Sequence, residues 1–71
     1  MSIKKELLQE LTEQQLKNLA ESKGIKFKLN KIQQKYYAEW NEKDKIVDIM
    51  GDKGNLTVRE IEEFIKLQNN L

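Results

Sequence analysis

One short phrase occurs twice in this chain and fixes two helix starts. Leu11-Thr12-Glu13-Gln14-Gln15-Leu16 and Leu56-Thr57-Val58-Arg59-Glu60-Ile61 distribute the same roles over the same spacing. In each, the threonine hydroxyl can accept from the amide three residues on, while Gln15 or Glu60 reaches back to the threonine's own amide. The leucine before each threonine can pack on Leu16 or Ile61, a hydrophobic staple that sets how the chain enters the helix. The first helix runs to about Lys23 with Leu16, Leu19 and Ala20 on one face, and Gly24 supplies a left-handed stop. The second runs from Val58 to about Gln68, with Ile61, Phe64 and Ile65 inward and Arg59, Glu62, Glu63 and Lys66 outward. Ahead of both, the stripe of Ile3, Leu7 and Leu8 predicts a leading helical turn or two.

Between these helices the period changes. Ile25-Lys26-Phe27-Lys28-Leu29 alternates apolar and cationic residues, so it reads as extended with one face buried. It has no evident strand partner and is expected to be an extended loop. Asn30 can cap a segment that carries Ile32, Tyr36 and Trp40 at helical spacing, and Asn41 offers a second cap complemented by Asp44. Residues 31–50 are compatible with one bent helix or two. Gly51-Asp52-Lys53-Gly54-Asn55 reads as a turn.

The expected fold is therefore all-α, a single domain over residues 1–71, with three to four short helices around an extended basic loop. Its predicted core is Leu8, Leu11, Leu16, Leu19, Ile25, Phe27, Trp40, Ile46, Val47, Met50, Leu56, Ile61, Phe64 and Ile65. A chain of 71 residues buries only about 60% of its unfolded surface, and its core rarely supplies more than roughly 3–5 kcal/mol. With no cysteine and no histidine, it can build neither disulfides nor zinc sites, and the usual nucleophile–base pairs are absent. Ser2 and Ser22 lack a candidate base, and Glu60, Glu62 and Glu63 read as a solvated helix face rather than a paired acid and base. The chain is expected not to be an enzyme and to need no cofactor. The charged start from Ser2 to Glu6 has no signal-peptide core, and no apolar stretch could span a membrane, so a cytoplasmic location is expected.

Two resemblances to calcium and phosphate sites fail on spacing. Placing Glu60 as the last ligand of an EF-hand loop puts Ile49, Gly51 and Lys53 where the first three oxygen ligands belong. The glycines at 51 and 54 lack the length and the terminal Lys-Ser/Thr pair of a phosphate-cradling loop.

Charge is the informative asymmetry. The net value of +1 conceals a stretch from residue 17 to 35 that holds Lys17, Lys23, Lys26, Lys28, Lys31 and Lys35 against Glu21 alone, a balance of +5. Residues 48–71 carry five acids, two lysines and Arg59, or −2. A dense basic stretch is an electrostatic footprint suited to phosphates. The bland alternative is a solvated, solubilising face.

Leu11-Thr12-x-x-x-Leu16-Lys17-x-Leu19-Ala20-x-x-Lys23-Gly24-Ile25 resembles the first helix of SAP domains and of their helix–extended-loop–helix relatives, including the N-terminal module of transcription terminator Rho. A counterpart to the family's second half lies at Lys45-Ile46-Val47-Asp48-Ile49-Met50, or in a rival alignment at Lys31 to Trp40. The chain departs from the family by about a dozen extra residues between Ile25 and Asn41 and by the lack of the loop glycine. The resemblance covers roughly half the chain and implies nucleic-acid binding through the helix–loop region where the six lysines fall. The sole arginine, Arg59, lies in the acidic third, so contact should be to phosphates with little base reading.

The leading expectation is non-specific duplex DNA binding through these lysines, with RNA open as an alternative. Tyr36, Tyr37 and Trp40 beside lysines could stack on single strands, but a small domain needs its large residues, so Trp40 and one tyrosine are assigned to the core. The competing expectation is a protein-interaction module or the terminal domain of a larger assembly, with no nucleic-acid role, self-associating or holding a protein partner through Ile3, Leu7 and Leu8 or a C-terminal helix with Leu67 and Leu71.

Overall fold

The computed structural model describes residues 3–53 and 55–69. It is all-α. Among the described residues there are five helices and no strand: α1 (Ile3–Gln9), α2 (Glu13–Ser22), α3 (Lys31–Tyr36), α4 (Glu42–Lys53) and α5 (Val58–Asn69). Residues 31–50 thus belong to two helices, separated by a turn at residues 37–40.

Four of the five helices open on a side-chain cap, which in three of them is a reciprocal box and at Asn41 is one-sided. Thr12 accepts from the Gln15 amide at 3.1 Å and Gln15 Oε1 accepts from the Thr12 amide at 2.9 Å. Asn30 and Gln33 repeat the exchange at 2.8 and 3.0 Å. Asn41 Oδ1 accepts from the Asp44 amide at 2.8 Å, and its Nδ2 donates to Asp44 Oδ2 at 2.7 Å. Thr57 and Glu60 close the last box at 3.1 Å in both directions. Each box satisfies amides that a helix start leaves without a partner, a contribution of about 1 kcal/mol.

The stops are equally local. Gly24, at φ 70°, lets its amide reach Glu21 O at 3.2 Å while the Ile25 amide reaches Ala20 O at 2.8 Å. That pair of bonds is the Schellman closure, and it turns Ile25 back onto the core. At the end of α1, Lys43 Nζ donates to Gln9 O at 2.7 Å, a cation placed on the negative end of a helix.

The core is a single cluster of Leu8, Leu11, Leu16, Leu19, Ala20, Ile46, Val47, Met50, Leu56 and Ile61. α1 packs on α4 and α5, and α2 packs on α4. Leu7, Ile25, Phe27, Phe64 and Ile65 are partly buried against this cluster. Both stapling pairs, Leu11 with Leu16 and Leu56 with Ile61, lie within it. Burying each leucine or isoleucine contributes about 1.5–3 kcal/mol before chain entropy is subtracted.

Three expectations are corrected. Trp40, assigned to the core, is exposed. Its place ahead of the Asn41 cap is the stapling position, but the residue it would meet four beyond the cap is Lys45, which gives it no apolar partner. Gly51 to Lys53, read as a turn, continue α4. Gly51 is there because the stem of Lys5 crosses it: a Cβ would come within 2.6 Å of Lys5 Cγ. Ile49, left out of the predicted core, is buried one residue before Met50.

Candidate nucleic-acid interface

The six lysines of the basic stretch fall into two groups. Lys17 on α2 pairs with Glu13 one turn earlier at 3.5 Å. Lys23, the C-cap of α2, pairs with Glu60 on α5 at 2.7 Å, tying the end of one helix to the start of another. The hydrogen bond from Lys23 holds the Glu60 carboxyl below its ordinary range, assisted by the Thr57 amide and hydroxyl. Lys26, Lys28, Lys31 and Lys35 are exposed and form no ion pair among the described residues. These four stand between residues 26 and 35 with no carboxylate among them.

Their positions follow from the local chain. In the extended segment, Ile25, Phe27 and Leu29 are half-buried while Lys26 and Lys28 are exposed, which is the expected alternation. On α3, Lys31 and Lys35 are one turn apart and therefore neighbours on the same face. No residue of α3 is buried. This helix lies outside the packed core, held by its Asn30 box, by a bond from Gln34 Nε2 to Leu29 O at 3.0 Å, and by the residue that ends it.

That residue is Tyr37. Its hydroxyl donates to Asp48 Oδ2 on α4 at 2.6 Å. Lys5 Nζ on α1 donates to Asp48 Oδ1 at 2.7 Å and pairs with Asp52 at 3.1 Å. Burial opposes ionisation of Asp48, but the bonds from Lys5 and Tyr37 outweigh it and hold the carboxyl below its ordinary value. Burial, then the bond to Asp48 and its charge, push the Tyr37 phenol up to about 12. The bonds to Asp48 and Asp52 raise the Lys5 ammonium above its ordinary value.

Above Tyr37 sits an aromatic cluster. Tyr37 meets Tyr36 edge-on at 4.9 Å between ring centroids and Trp40 edge-on at 5.1 Å. Tyr36 and Trp40 lie 5.5 Å apart, tilted by 40°. Tyr37 is the half-buried member, whereas Tyr36 is 61% and Trp40 39% exposed, and Ile32, a turn before Tyr36, is 79% exposed. The sequence left open which tyrosine is exposed; the acceptor that decides it, Asp48, lies eleven residues away. The pairing of Lys23 was likewise not legible, since Glu60 is remote from it in the chain.

The remaining surface candidates are separate. Ile3 and Leu67 are exposed, Leu7 is half-buried against the core, Leu8 is fully buried, and Leu71 lies outside the described residues. No described helix is long and apolar enough to cross a membrane. No described cluster of three or more acidic side chains is arranged to hold a metal ion. No protein-family model, curated protein or solved structure matches the chain.

Proposed function

We propose that this protein is a non-enzymatic nucleic-acid-binding module that grips the phosphate backbone through Lys26, Lys28, Lys31 and Lys35. The observation that carries the reading is the concentration of four exposed lysines, none in an ion pair among the described residues, on an extended segment and the helix that follows it. A cation already paired with a carboxylate must give up that partner to reach a phosphate; an unpaired one need only release counterions from the nucleic acid. Lys17 and Lys23 therefore stand behind the other four as contacts. The chain order of helix, extended segment and helix, together with the SAP-like residues from Leu11 to Ile25, supports the same reading from the sequence. With lysine rather than arginine at every one of these positions, contact is to phosphates and sequence selection is weak.

The test is a titration of labelled nucleic acid at about 50 and 200 mM salt. Four phosphate contacts weaken duplex binding by roughly a hundredfold over that interval. The folded variant Lys26→Glu/Lys28→Glu/Lys31→Glu should bind neither duplex nor single strand. Unchanged affinity in that variant would sink the proposal.

The second reading, a protein-interaction module, draws on exposed Ile3 and Leu67. Sedimentation at two concentrations separates self-association from a monomer that binds polyanions.

A further inference from the structure

We infer that Tyr36 and Trp40 form a stacking platform for unpaired bases, so that the nucleic acid this face takes is single-stranded. The inference rests on the nucleic-acid reading above and narrows it.

An aromatic ring at the surface of so small a domain needs a reason, because a small domain has few large apolar side chains to bury. Trp40 has no such role: its stapling partner is Lys45, and it is exposed. Tyr36 is more exposed still. Both rings are nevertheless held in place. Tyr37 contacts each edge-on and is itself fixed by its bond to Asp48. An exposed pair of rings that is positioned but not buried offers aromatic surface without the cost of ordering it on binding.

The charge beside them selects the occupant. Lys31 and Lys35 form one i,i+4 row of the short helix, and Ile32 and Tyr36 form the row next to it. Lysines along a backbone track, interleaved with aromatic faces, match the alternation of phosphate and base in a single strand. Duplex DNA meets only half of that pattern, because its bases are stacked within the helix and present edges rather than faces. A wholly apolar protein ligand would leave the lysines without partners.

Trp40 is the only tryptophan, so its emission reports on the platform directly. The whole chain is titrated at about 50 mM salt with a thymidine strand of about 20 nucleotides, and separately with a mixed-sequence duplex of about 20 base pairs. The strand should bind about tenfold more tightly than the duplex and quench Trp40 emission. Tyr36→Ala should weaken the strand complex roughly five- to tenfold and leave the duplex unaffected, while Tyr36→Phe should retain binding. Strand and duplex binding equally, with Trp40 emission unchanged and Tyr36→Ala silent, would overturn the stacking inference. If the triple lysine variant still abolished binding in that case, the phosphate-directed reading would survive it. No binding by either ligand would remove both.

Discussion

The Tyr37 hydroxyl donates to Asp48 Oδ2 at 2.6 Å while Lys5 Nζ occupies Oδ1 of the same carboxylate at 2.7 Å. One side chain of α4 thereby anchors both α1 and the turn after α3. Asp48→Ala should cost about 2 kcal/mol, since it strips a charged hydrogen bond from each of two partners. Tyr37→Phe should cost about 1 kcal/mol. The double variant should cost less than the sum, because both changes act through one carboxylate. Denaturant midpoints at constant slope measure all three, and an unmoved midpoint in Tyr37→Phe would mean the bond is not formed in solution.

At high pH the same network predicts a defined loss. The Tyr37 phenol is raised from 10.0 to about 12, and the Lys5 ammonium is raised from 10.5. A raised folded-state value contributes stability that is fully present below the unfolded value and disappears as pH climbs through the folded one. The protein should therefore lose stability from about pH 10 upward, with Tyr37 ionising only near about 12. Tyrosinate absorbance followed against pH tests this, and Asp48→Asn should bring the late phase down.

The acid limb carries the opposite sign. Asp48 and Glu60 are lowered from 3.8 and 4.5. Each contributes stability above its unfolded value and loses it as pH falls through the folded one. Lys23→Gln removes the leading cause at Glu60 and should shift the acid unfolding midpoint of the chain upward, which circular dichroism across pH 2 to 5 would read (about the range of ordinary carboxylates).

Two glycines should respond to alanine for different reasons. Gly24 has φ 70° and nothing within 4 Å of a new Cβ, so Gly24→Ala should cost about 1–2 kcal/mol of backbone strain alone. Gly51 is helical, and alanine there gains about 1 kcal/mol of propensity. It also drives a methyl to 2.6 Å from Lys5 Cγ, an overpacking that costs about 1–3 kcal/mol. Gly51→Ala should destabilise the native protein yet stabilise a Lys5→Ala background. The same sign in both backgrounds would show that the lysine stem is not what excludes a side chain.

The lysines should divide as their ion pairs do. Lys31→Gln or Lys35→Gln should each lower the salt dependence of nucleic-acid binding by about one contact. Lys17→Gln and Lys23→Gln should leave it nearly unchanged, because Glu13 and Glu60 already hold those cations. Equal effects at all six positions would argue for a diffuse field rather than a bounded face.

By itself, the sequence determined several features whose cause lies within a few residues. The boxes of Thr12 with Gln15 and Thr57 with Glu60, the Asn30 and Asn41 caps, the Gly24 stop and the extended alternation from Ile25 to Leu29 all rest on groups two to five positions apart. Local hydrogen bonding decides these. Only the tertiary structure decided that Trp40 faces solvent, that Tyr37 rather than Tyr36 turns inward, that Gly51 continues a helix, and that Lys23 is occupied while Lys31 is not. Asp48 reaches Tyr37 and Glu60 reaches Lys23 from other helices, and the Lys5 stem of α1 crosses Gly51. Trp40 is the converse, a large side chain whose aromatic neighbours Tyr36 and Tyr37 come from its own segment and which stays exposed, because burial is a property of two surfaces and a sequence pattern describes one.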